Sequence, residues 1–116
     1  MLPEQPAEAD LVAKYFKVLA DVTRVRVLDL LEEHGELTVG ELVGRLQQPQ
    51  PKVSNHLACL RWCGFVARER RHPYVLYRVA DERAFELLAM ARAVLGDHAE
   101  HVASCQRVSD GKVAHR

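Results

Sequence analysis

Cys59 and Cys63 stand four residues apart in the stretch from Pro51 to Gly64, Pro-Lys-Val-Ser-Asn-His-Leu-Ala-Cys-Leu-Arg-Trp-Cys-Gly. On a helix that spacing brings two Cβ atoms to roughly 5 to 6 Å, close enough for both sulfurs to share one ion. Thiolates are soft donors, so such a pair selects a thiophilic ion over magnesium or calcium. The competing role for either thiol is that of a small buried apolar side chain, because free cysteine is among the most buried residue types. Cys105 is the only other cysteine, and three thiols make no closed set of disulfides. A reducing cytosol keeps such thiols available for metal or redox chemistry.

The N-terminal half of the same stretch carries a different chemistry. Ser54 and Asn55 can bond base edges or phosphates, while Gln50 and Lys52 fall at the helix start, where residues usually enter a DNA major groove. His56 either reads a base or supports the helix. The plain alternative for the whole group is a solvated polar face. If both halves function, an ion on the thiols can alter DNA affinity across a very short distance.

The chain's net charge of zero conceals an asymmetry. From Arg45 to Arg78 seven basic side chains face Glu69 alone, a local excess of six positive charges. A basic middle segment is what a compact phosphate-binding surface requires, whereas the average charge argues against nucleic acid. At 116 residues, 48% hydrophobic and 28% charged, the chain fits one soluble domain with one core. No apolar run approaches the roughly 20 residues that span a bilayer, and the first residues lack the features of a signal peptide, so a cytoplasmic location is expected. No Gly-rich phosphate loop or histidine-activated nucleophile motif is present, which argues against an enzyme.

The elements that position these residues follow from periodicity. Leu11, Val12, Tyr15, Phe16 and Leu19 predict an amphipathic helix from about Ala9 to Ala20. Asp21 or Thr23 caps a second helix that ends at Gly35. Thr38 and Glu41 form a capping box for a short third helix, and the polar turn Gln47 to Gln50 leads to Pro51 at the first position of a fourth. There Val53, Leu57 and Leu60 predict the buried face, leaving Lys52, Asn55, His56 and Cys59 turned away from the core. Two β-rich runs, Phe65 to Arg70 and Tyr74 to Val79, read as a hairpin around Arg71-His72-Pro73. Arg70, Arg71 and His72 at its tip are candidate phosphate contacts. Asp81 caps a last helix through Leu95, with Gly96 as its weak point, and its wide apolar stripe predicts pairing with the first helix of a second subunit.

The segments Leu19-Ala-Asp-Val-Thr-Arg-Val-Arg-Val-Leu28, Glu41-Leu42 and Val53-Ser-Asn-His-Leu-Ala-Cys-Leu-Arg-Trp-Cys-Gly-Phe-Val66 resemble, in order and spacing, the ArsR/SmtB family of metal-sensing repressors. The resemblance covers about residues 10 to 105. It implies a mainly α winged helix-turn-helix with a small β-hairpin wing, dimeric through its first and last helices. It also implies binding to double-stranded operator DNA without metal and release by metal. In that family pattern the histidine matching His56 often supports the helix. The cysteine arrangement is similar to a cadmium- and lead-sensing branch, which implies Cys59, Cys63 and Cys105 as ligands and a site bridging the dimer. Whether Cys105 comes from the same or the other subunit stays open, as does the ion: cadmium or lead first, then mercury or arsenite. The family's zinc pattern on the last helix is only half present, since His98 and His101 match its end but Phe85 and Leu87 occupy its beginning. A thiol redox switch on the same fold is the alternative. The expected organisation is a flexible arm over 1–8, the DNA-binding and dimerisation domain over 9–106 and a disordered tail over 107–116.

Overall fold

The computed structural model describes residues 7–106. Apart from Ala7 and Glu8, the expected arm lies outside the described residues, and so does the tail. The elements run α1 (Glu8–Leu19), α2 (Val22–His34), β1 (Glu36–Thr38), α3 (Val39–Leu46), α4 (Gln50–Trp62), β2 (Val66–Arg71), β3 (Tyr74–Val79) and α5 (Arg83–Ala103). No helix among the described residues is long and apolar enough to cross a membrane.

Local chemistry fixes most boundaries. Of the two candidate caps for α2, Asp21 serves: its Oδ1 accepts the Arg24 backbone N–H at 3.1 Å, while Thr23 lies buried as the second residue of the helix. Gly35 ends α2 at φ 84°, a left-handed conformation that glycine adopts without steric cost, with its N–H donating to Leu31 O at 2.8 Å. The capping box of α3 is complete, with Glu41 N–H donating to Thr38 Oγ1 at 3.1 Å and Thr38 N–H to Glu41 Oε1 at 2.8 Å. Pro49 is the N-cap of α4, so Pro51 stands at the second helical position rather than the first.

Val27, Leu28, Leu31, Leu42, Val53, Leu57, Leu60 and Phe65 are at most 1% exposed and weld α2, α3 and α4 into one core. The wing is part of a three-stranded antiparallel sheet in the order β1-β3-β2. β1 is an addition to the expected hairpin: three residues are too few to display an alternating pattern, yet Leu37 pairs with Tyr77 and both are buried. β2 and β3 pair from Val66 opposite Val79 to Arg71 opposite Tyr74, leaving His72 and Pro73 as the tip.

The last helix departs from expectation at both ends. Its N-cap is Glu82, with Asp81 Oδ1 accepting the Arg83 N–H at 2.9 Å from one position earlier. It runs on to Ala103, and its break falls at His98 (φ −132°, ψ 16°) and not at Gly96. Within a single chain α5 buries only Ala84 and Leu88. Leu11, Val12 and Phe16 of α1 and Met90, Val94 and Leu95 of α5 remain 43% to 65% exposed. A groove of about 390 Å³ between these helices is lined by Phe16, Leu19, Val25, Leu87, Leu88, Ala91, Arg92 and Leu95.

Candidate DNA interface and thiol site

Gln50, Lys52, Ser54 and Asn55 all lie exposed in the first six residues of α4. Val53 and Leu57 anchor that segment to the core, and no acidic residue occupies the first turn. Four exposed polar side chains therefore stand at the positive end of a helix dipole, where anionic oxygens are favoured. The exposure of these four side chains is as the sequence reading expected.

His56 and Cys59 do not face outward as expected. The His56 side chain is only 13% exposed, and its Nδ1 accepts from Arg24 Nε at 3.1 Å. Cys59 is half-buried and packs against the core. Positions 56, 59 and 63 are three and four apart, so they form one helical stripe beside the Val53, Leu57 and Leu60 stripe. The expectation allowed α4 a single buried face. It has a second, partly covered side, where Arg24 at the start of α2 bonds His56 and Cys59 lies against the core.

On that second stripe Cys63 is the residue after the helix, exposed, with its backbone N–H donating to Cys59 O at 3.0 Å. Burial and then the neighbouring Cys59 push its thiol above the ordinary range, and Lys14 and Arg24 oppose that shift. A small cavity lined by Leu11, Lys14, Tyr15, Val18 and Cys63 separates this end of α4 from α1. Trp62 beside it is 81% exposed, with the Arg61 guanidinium 5.8 Å from its ring centroid. Cys105 is exposed just beyond α5. Among the described residues of one chain no three His, Cys, Asp or Glu side chains converge as a metal would need. The structure thus brings Cys59 and Cys63 together and leaves Cys105 apart from them. His98 and His101 lie 6.2 Å apart between ring centroids, edge to face, without a third ligand.

The wing separates its basic residues by face. Val66 and Tyr77 are buried, so β2 positions 66, 68 and 70 belong to the side of the sheet that packs on the helices. Arg68 and Arg70 continue that side beyond the core, exposed and with no carboxylate partner among the described residues. Arg71 is on the other side and is occupied: Nη1 and Nη2 donate to Glu36 at 2.9 and 3.1 Å, and Nη2 to Glu69 at 3.2 Å. Arg78 adds to Glu69 at 3.5 Å. The Arg71 guanidinium holds the Glu69 carboxyl below the usual range, so the charges there are mutually compensated. His72 is exposed at the tip.

Residues 21–68, from the cap of α2 into β2, match the family described as bacterial regulatory protein, arsR family. Over 99 residues, 85% of this chain and 78% of the other, the sequence is 37% identical to a probable mercury resistance operon repressor of Streptomyces lividans. The chain belongs to the arsR family. It is 46% identical over 65 residues to the arsenical resistance operon repressor of Escherichia coli, 56% of each chain. The homodimeric winged helix-turn-helix DNA-binding domain from Mycobacterium bovis superposes with a TM-score of 0.71 at 31% identity, covering 87% of this chain and 95% of that one.

This arsR-family chain is accordingly a winged helix-turn-helix DNA-binding regulator and not an enzyme. The matched segment includes Cys59 and Cys63 but stops well before Cys105. Two residues escaped the sequence reading. Arg68 was legible, since strand alternation puts it on the face of Arg70 and opposite Arg71. Arg24 was not, because nothing in the chain announces a bond to a histidine 32 positions away.

Proposed function

We propose that this regulator is a cytoplasmic, homodimeric repressor that binds operator DNA when metal-free and leaves it when a soft ion binds Cys59 and Cys63. One observation carries the reading: four exposed DNA-type side chains stand at the start of a helix only 13 residues long, and two neighbouring thiols stand in its last turn and at its C-cap. The exposed apolar faces of α1 and α5 supply the dimer contact, in keeping with the homodimeric relative. Gln50, Lys52, Ser54 and Asn55 enter the major groove, while Arg70 and His72, joined by Arg68, hold phosphates.

Two sulfurs on one helix make an incomplete site for cadmium or lead, and Cys105 of the partner subunit supplies the third thiolate. Mercury, content with two thiolates, and arsenite are the further candidates, and the mercury and arsenical repressors among the relatives keep both in view. An ion that draws the end of α4 toward the partner moves the reading helices off the spacing of about 34 to 36 Å between half-sites. Complete switching needs a coupling of about 5.5 kcal/mol, within the reach of several metal–thiolate bonds.

The test uses a duplex selected from a random-sequence pool by the metal-free protein. Lys52→Ala with Asn55→Ala should abolish its gel shift. Cys59→Ser should retain the shift but lose both the thiolate-to-metal ultraviolet absorption and the response to metal. An unaltered shift in the first variant refutes the reading helix, and an unaltered metal response in the second refutes the thiol site.

A further inference from the structure

We propose that Arg24 is the positioning residue of the reading helix, and that His56 serves operator binding through Arg24 without itself touching a base. The proposal rests on α4 being the helix that meets DNA. Arg24 joins three elements. Its backbone N–H is capped by Asp21 at 3.1 Å, its Nη1 donates to Val18 O in the last turn of α1 at 3.2 Å, and its Nε donates to His56 Nδ1 at 3.1 Å. A guanidinium has donors only, so His56 Nδ1 must present a lone pair, and the ring proton sits on Nε2. Asp21 Oδ1 is 3.9 Å from the same nitrogen, too far for a hydrogen bond, and is already the helix cap.

The other polar link from α2 to this region is Gln48 Nε2 donating to Thr23 Oγ1 at 3.0 Å. Thr23 and Arg24 are adjacent on α2, and their partners at 48 and 56 bracket the exposed residues Gln50, Lys52, Ser54 and Asn55. The remaining packing of α4 is apolar, through Val53, Leu57 and Leu60. Apolar contact is non-directional: it holds the helix against the core without fixing its rotation or slide. Two directional bonds at the ends of the reading segment supply what the core does not.

The experiment is a double-mutant cycle on the full chain with the selected duplex, measured by fluorescence anisotropy at fixed salt. Arg24→Met and His56→Phe should each weaken binding by about tenfold, the loss of one charge-assisted hydrogen bond, and the double variant should be no weaker than either. His56→Asn, which restores an acceptor near the position of Nδ1, should recover most of the affinity. Nitrogen-15 spectra should report the Nε2–H tautomer in the unaltered protein and a change at His56 in Arg24→Met. Losses that multiply in the double variant would mean that His56 meets DNA independently, and a fully binding Arg24→Met overturns the proposal outright. Should Arg24→Met fail to fold, equal affinities of His56→Asn and His56→Phe overturn it instead. Full binding by the Lys52→Ala, Asn55→Ala protein refutes the reading helix itself, a separate failure.

Discussion

Replacing Arg70 and Arg71 in turn should separate a phosphate contact from an internal brace. Arg70 has no carboxylate partner among the described residues, whereas Arg71 is held by Glu36 at 2.9 and 3.1 Å and by Glu69 at 3.2 Å. Each phosphate neutralised contributes about 0.9 to the slope of log affinity against log salt. A dimer loses two such contacts with Arg70→Ala, so the slope should fall by about 1.8. Between 50 and 200 mM salt, the gap between this variant and the unaltered protein should then narrow by about tenfold. Arg71→Ala removes a guanidinium already engaged on the far side of the sheet, so its slope should stay nearly unchanged. Exposed ion pairs of this kind contribute about 0 to 1 kcal/mol, and the fold should survive both changes. Anisotropy titrations of the selected duplex at four or five salt concentrations provide the slopes. A slope change for Arg71→Ala equal to that for Arg70→Ala would refute the division of the wing into two faces.

Three further outcomes follow from the same geometry. Because burial and then Cys59 raise the Cys63 thiol, its alkylation by iodoacetamide in metal-free protein should lag behind that of a free cysteine as pH rises. Cys59→Ala should recover only part of that lag, and a mass-spectrometric rate profile checks it. Thr38→Ala removes one half of the α3 capping box and should cost about 1 kcal/mol in urea unfolding; a loss near zero would show that the box is idle. Phe16→Asp places a charge on the exposed α1 face, 51% accessible in the single chain, and should leave the fold intact while sedimentation reports a monomer. Operator affinity should then drop by about a hundredfold, because two half-sites no longer bind as one unit. A dimer that persists would place the interface elsewhere.

Periodicity and capping chemistry made much of this fold legible in the chain. Thr38 with Glu41, Gly35 and the 53, 57, 60 stripe each gave one local solution, and the structure adopts it. What escaped was set by neighbours remote in sequence. β1 exists because Leu37 finds Tyr77, forty residues on. Cys59 turns partly inward against the core, and a one-helix pattern cannot register contacts supplied by other elements. The wing illustrates a middle case: the strands were legible, yet the loss of Arg71 to Glu36 depended on β1 bringing that carboxylate across the sheet. Of the candidate site, the exposed start of α4 and the proximity of Cys59 and Cys63 were readable from spacing alone. A ligand from a second chain has no local signature at all.

The central claim, that a soft ion on the α4 thiols releases DNA, is tested most directly by titrating cadmium, lead, mercury and arsenite into the preformed complex with the selected duplex. The medium should be reducing, and anisotropy reports dissociation. Trp62, the only tryptophan and the neighbour of Cys63, gives ion binding in the same cuvette through its fluorescence. At least one of the four ions should change the Trp62 signal and weaken the complex in parallel, and Cys59→Ser should abolish both effects. A complex that retains its affinity while Trp62 reports a saturated thiol site would contradict the account.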